Sequence, residues 1–95
     1  MGSARRPQPE RLALKLLQIR KLLNLTQKQM AERLRAVKSP PRPAHISRFE
    51  NGMREPSLLV LLEYAHLAGV YVDVLIDDGL DLPDKLPAKS KSKSI

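Results

Sequence analysis

Apolar residues recur along this chain at helical rather than strand spacing. Leu12, Leu16, Ile19 and Leu23 follow one another at intervals of four, three and four, one face of an amphipathic helix. Pro9 suits its first turn, Glu10 suits the positive end of its dipole, and Arg11, Lys15 and Lys21 fall off the apolar face. Asn24 marks its end, because it tolerates the left-handed conformation that terminates helices. Thr26 and Gln29 form a Thr-x-x-Gln capping box, which predicts a second helix from Thr26 to about Ala36 with Met30, Ala31 and Leu34 on its inner face. Pro40 and Pro41 stop it, and Pro43 is suited to the first position of a third helix that runs to Glu50. In that third helix Ile46 and Phe49 lie on one side and His45, Ser47 and Arg48 on the other.

Asn51-Gly52 ends the third helix, and Ser57 is an N-cap for a fourth that runs to about Ala68. Leu58, Leu61, Leu62, Ala65 and Ala68 are its expected inner face, and Gly69 closes it. Val72 to Ile76 makes a short fifth helix. The predicted fold is all-α, a compact five-helix domain over residues 9–78. Residues 1–8 read as a basic arm, in which Arg5 and Arg6 either follow a groove or are solvated. Residues 79–95 read as an extension that ends in a disordered Lys/Ser tail.

Charge changes the picture. The net charge is +7 over 95 residues, and it is unevenly spread. Residues 1–54 carry 13 Lys and Arg against 3 acids, whereas residues 55–88 carry 1 Lys against 7 acids. The basic half contains the two helices joined by the Pro-rich turn. A basic face pairs with phosphate and releases counterions, so the partner expected from charge is nucleic acid, the alternative being a charge that serves solubility alone. A third helix held by two apolar residues and showing small polar and cationic groups outward suits the reading of base edges in a groove. Lys38 and Arg42, on the long turn VKSPPRP, either contact phosphate or keep the turn soluble.

Other chemistries find no support in the residues. There is no cysteine, which excludes disulfides and thiolate metal sites and suggests a reducing, cytoplasmic setting. No apolar run nears the roughly 18–20 residues of a membrane span, and the start has no apolar signal core, so neither membrane insertion nor export is expected. His66 stands among leucines as a boundary residue, and Asp77, Asp78 and Asp81 do not match a calcium loop and read as a solvated acidic end. No nucleophile, base and orienting group come together in the pattern, so no enzymatic activity, cofactor or metal is expected.

Over about residues 12–77 the chain resembles the Cro and phage-repressor (Xre-like) family of helix-turn-helix transcriptional regulators. The resemblance rests on Ile19-Arg20 ahead of Asn24-Leu25-Thr26-Gln27, on Met30-Ala31-Glu32 with Leu34, and on Ile46-Ser47-Arg48-Phe49-Glu50-Asn51-Gly52. Arg54, Pro56-Ser57, Leu61-Leu62, Ala65, Gly69-Val70 and Asp73 continue it. It implies a lambda-repressor-like DNA-binding domain acting as a sequence-specific regulator, a repressor, localised to the nucleoid. Ala44, His45, Ser47 and Arg48 would face the major groove. Gln27 would meet a phosphate or also a base, and Asn51 and Arg54 would meet phosphates; beside what the resemblance implies, Lys28, Lys38 and Arg42 are expected to contact phosphate as cations of the basic half. Ala31 would sit at the crossing of helices two and three, and Arg20 and Glu50 would form an ion pair between helices one and three. The chain departs from the family by lacking the turn glycine and by carrying about five extra residues between Leu34 and Ile46.

Leu59, Val60, Tyr71 and Val74 are apolar where the family usually has polar residues. An exposed apolar patch on a small domain marks an interface, so these four are expected either to pair two copies into a homodimer or to enlarge the core, with Leu80, Leu82 and Leu86 folded over it. The alternative function is a protein-interaction module, such as an antitoxin or adaptor, whose patch binds another protein.

Overall fold

The computed structural model describes residues 9–86, so the expected basic arm at 1–8 and the Lys/Ser tail from 87 onward lie outside the described residues. Five helices follow in order: α1 Leu12–Leu22, α2 Gln27–Arg33, α3 Pro43–Glu50, α4 Leu58–Ala68 and α5 Val72–Ile76. The described residues contain no strand. The core is one cluster of aliphatic side chains from all five helices, with Phe49 and Tyr64 as its aromatic members. The packing of α2 on α3 is the most extensive pairing of elements, and α1 backs both α3 and α5.

The helix boundaries have local causes. Asn24 takes a φ of 61°, reversing the chain after α1. The Thr26 hydroxyl accepts from the Gln29 N–H at 3.0 Å and the Gln29 side-chain Oε1 accepts from the Thr26 N–H at 2.9 Å, so the expected capping box is present. α2 ends at Arg33, short of the expected Ala36, because the next residues tighten: the Arg35 N–H bonds the Glu32 oxygen and the Val37 N–H bonds the Leu34 oxygen, three residues back in each case. The reversal before the prolines falls at Ser39, with φ 54°, and Pro41 is buried beneath it. After α3, Gly52 at φ 73° lets the Met53 N–H reach the Arg48 oxygen at 2.9 Å and its own N–H reach the Phe49 oxygen at 3.2 Å, a Schellman turn.

Several side chains stand differently from the sequence expectation. Lys15, expected off the apolar face, is 1% exposed. Its Nζ donates to the carbonyl oxygens of Val74 at 2.8 Å and Asp77 at 2.9 Å, binding the end of α5 to α1. Burial holds its pKa below the usual lysine value. Asp78, expected in a solvated acidic end, supplies the anion at the start of α1: its carboxylate accepts from the N–H groups of Glu10 and Arg11 at 2.9 and 3.0 Å. These two bonds hold its pKa below the ordinary carboxylate value. Arg11 adds a bond to the Asp78 carbonyl and an ion pair to Asp81. Helix α1 itself begins at Leu12, and Asp78, not Glu10, complements its positive end.

Helix α4 is rotated relative to the expected face. Its buried residues are Val60, Leu61, Tyr64, Ala65 and Ala68, while Leu58 is 82% and Leu62 41% exposed. The sequence LLVLLEYAHLA offers apolar residues in almost every direction, so periodicity cannot choose the buried stripe; packing against α1 and α5 does. Val60, 3% exposed, therefore leaves the proposed surface patch and belongs to the core. Val74 is half-buried, and Leu59 and Tyr71 remain exposed. Leu86 is buried, Leu82 partly so, and Leu80 is exposed, so the extension after α5 folds back over the core through two of its three leucines. His66 is exposed, 3.6 Å from Glu63. The Tyr64 hydroxyl is buried without a hydrogen-bond partner among the described residues.

Candidate nucleic-acid interface

Helix α3 is held by its inner face and by one polar clamp. Ile46 and Phe49 are buried. On the next position round, Glu50 accepts from Arg20 Nε at 2.6 Å and Nη2 at 3.0 Å, a two-pronged pair between α3 and α1. Arg20 also donates from Nη1 to the Leu25 oxygen at 3.0 Å, so the guanidinium ties α1, the loop before α2 and α3 together. The hydrogen bond to Glu50 raises the Arg20 pKa above even its usual high value. Gln27, at the start of α2, donates from Nε2 to the same Glu50 carboxylate at 3.1 Å. Three elements thus meet at one carboxylate, which fixes the angle of α3 on α2.

The opposite side of α3 carries the residues singled out for reading bases. Ala44 and Arg48 are exposed and one helical turn apart; Ser47 and His45 flank them and are half-buried. Around this face stand the cations. Lys38 and Arg42 are exposed on the Pro-rich turn, and Arg54 is exposed on the loop after α3. None of Lys38, Arg42, Arg48 and Arg54 pairs with a carboxylate among the described residues. Lys28 on α2 and Asn51 at the end of α3 are exposed as well. Of the residues expected to meet phosphate, Gln27 differs most: it is half-buried and its amide nitrogen is already engaged by Glu50.

His45 has a second task that the sequence did not suggest. Its Nδ1 accepts from the backbone N–H of Arg42 at 3.1 Å, and its own backbone N–H donates to the Arg42 carbonyl oxygen at 2.9 Å. The ring thus caps the start of α3 in the place where a Glu or Gln would stand in a capping box. An acceptor Nδ1 requires the neutral ring with its proton on Nε2. Desolvation, with Arg54, Arg42 and Arg48 close by, holds the His45 pKa below its ordinary value. Beside α3, between the Pro-rich turn and the start of α4, runs an open groove of about 980 Å³, with His45 and Phe49 among its lining.

Two helices joined by a turn, the second held firmly and presenting polar and cationic groups, define a helix-turn-helix domain. The chain belongs to the helix-turn-helix family, of the Cro/C1-type, Xre-like kind, whose model matches residues 16–75, more than half of the chain. No curated protein matches it. The family is one of DNA-binding transcriptional regulators, and that is the general class of this protein. No helix among the described residues is long and apolar enough to cross a membrane, and no group of side chains among them is assembled to hold a metal ion.

Proposed function

We propose that the protein binds a specific double-stranded DNA sequence with α3 in the major groove and acts as a repressor at the nucleoid. The observation that carries this reading is the combination on α3 of a fixed inner face and an exposed outer one. Ile46, Phe49 and the Arg20–Glu50 pair hold the helix, and Ala44, Ser47 and Arg48 stand together on the other side. Arg48 has the fork geometry that matches guanine O6 and N7, and Ala44 and Ser47 are small enough to let the helix approach the base edges. Lys28, Lys38, Arg42, Asn51 and Arg54 supply contacts to phosphate, which orient the domain without reading sequence. Gln27 acts first through Glu50, and its amide oxygen is the part left to meet the backbone. Repression is the mode that asks for no surface beyond the DNA-binding one, because an occupied site is closed to other proteins.

The protein would act as a homodimer, with the exposed Leu59 and Tyr71 and the half-buried Val74 in the contact, and with Leu58 and Leu62 taking the place of buried Val60. Two-fold pairing would set two reading helices about 34 Å apart, one turn of duplex. The test is selection of bound sites from random duplex DNA at about 150 mM salt. An enriched palindrome with half-sites near one turn apart is the expected result. Retention without any enriched sequence would reject the reading. In that case the exposed leucines of α4 would make a protein partner the better reading.

A further inference from the structure

Tyr64 carries a polar atom into the interior of the core. The side chain is fully buried on α4, and its hydroxyl has no hydrogen-bond partner among the described residues. Phenylalanine would fill the same space without the oxygen, so packing alone does not account for a tyrosine here. A buried donor left unpaired destabilises the fold, and native interiors supply such groups with a protein or water partner. Burial pushes the Tyr64 pKa above the ordinary tyrosine value and Glu50 adds to the rise, so the oxygen keeps its proton and stands as a donor.

The polar groups on that side of the core are those of the clamp on α3. Beyond burial, the charges that act on Tyr64 are Glu50, which raises its pKa, and Arg20, which lowers it, so the hydroxyl lies within the field of both. The clamp has hydrogen-bonding capacity left over. Glu50 Oε1 accepts from Arg20 Nη2 and from Gln27, whereas among the described residues Oε2 accepts from Arg20 Nε alone. A carboxylate oxygen has two lone pairs, so Oε2 has a place for one more donor. The guanidinium has five N–H groups and uses three of them here. Neither side chain is sealed off, with 15% of Arg20 and 5% of Glu50 exposed, which gives a water molecule a way in. Tyr64 makes no direct bond to either residue, and one water is the smallest group that joins its donor to this acceptor.

We propose that a single buried water joins Tyr64 to the Arg20–Glu50 pair, accepting from the tyrosine hydroxyl and donating to Glu50 Oε2, and that Tyr64 is thereby a positioning residue for α3. The clamp then extends from three elements to four, because α1, the start of α2, α3 and α4 all bear on one carboxylate. The consequence for DNA rests on the proposed seating of α3 in the major groove. The water site itself does not.

Tyr64→Phe in the full chain removes the hydroxyl and nothing else, and the sign of its effect on stability decides. A hydroxyl held to the clamp through water leaves that water short of a partner when it is removed, so the urea midpoint should fall. A hydroxyl without any partner is destabilising, so its loss would raise the midpoint or leave it unchanged. The ratio of affinities for the selected site and for unrelated duplex should fall about two- to tenfold, the factor of one net hydrogen bond. That loss should vanish in a Glu50→Ala background, where the clamp is already open. In nuclear magnetic resonance of the wild type, the Tyr64 hydroxyl proton should show a cross peak to a long-lived water, with the sign of dipolar contact rather than of exchange. This measurement requires no variant to fold. A midpoint that does not fall in Tyr64→Phe, a missing cross peak, or an equal loss of affinity ratio in the Glu50→Ala background would each overturn the proposal. A wild type that selects no sequence would fail the proposed function instead, and the midpoint and cross peak would still decide the water site.

Discussion

At the scale of single residues, the outer face of α3 separates groups that support the helix from groups free to meet a ligand. Arg48 is exposed and makes no ion pair among the described residues, so its replacement by Ala removes a contact to DNA and little else. Binding to the selected site should weaken by about 1–3 kcal/mol with the urea midpoint unchanged. Equal weakening on every sequence would reassign Arg48 to phosphate. His45 is the opposite case, because it serves the fold as well. Its folded-state pKa lies below the ordinary 6.5, so the unfolded chain binds more protons between the two values. The stability that neutral His45 contributes is therefore fully present above about pH 6.5 and is lost as pH falls through the lowered value. Urea midpoints measured at about pH 7.5 and 5.5 should drop less in His45→Gln than in the wild type. Equal drops would mean that a group other than His45 carries the dependence.

At the scale of elements, the packing of α1 on α5 is what sequence periodicity misassigned. A lysine at the edge of an apolar stripe ordinarily extends to water. Here the C-terminal end of α5 brings two carbonyl oxygens within reach of Nζ, and the stem of Lys15 is covered in reaching them. Lys15→Met keeps much of the stem's volume but leaves those carbonyls without their donor. It should cost about 1–3 kcal/mol in urea unfolding and speed amide exchange in α5 before the rest of the domain. Exchange that quickens uniformly would show that Lys15 acts on the whole core and not on α5. α4 makes the complementary point. Its caps are legible, with Ser57 accepting from the Val60 N–H and Gly69 at φ 78°, yet its phase is not. An almost wholly apolar helix fits a core with several faces, and only its neighbours select one.

At the scale of the whole molecule, the basic and acidic halves of the chain become two parts with different work. The basic part surrounds α3. Two of the seven acids in residues 55–88 are engaged at the start of α1: Asp78 caps it and Asp81 pairs with Arg11. The residues beyond α5 then close the core, because Leu86 is buried within it. Leu86→Ala should destabilise the domain by about 2 kcal/mol or more, as loss of a buried leucine does. A change below about 0.5 kcal/mol, the usual size for a surface substitution, would show that residues after α5 only lie on the surface.

The order and type of all five helices were legible in the sequence, and the first four are each punctuated by a residue with a specific backbone role: Asn24, Thr26 with Gln29, Pro43, Gly52, Ser57 and Gly69. The helix-turn-helix family was legible too, from linked residues spread over most of the domain. Those features are local, or are carried by residue types in a fixed order, so they need no knowledge of what packs on what. Tertiary structure alone decided the buried stripe of α4, the burial of Lys15, the capping of α1 by Asp78 from 67 residues away, and the engagement of Gln27 on the carboxylate that Arg20 also holds. It also set His45 over the Arg42 N–H and opened the groove beside it. Each of these depends on which groups distant in the chain come within hydrogen-bonding distance, and a period of 3.6 residues holds no information about that.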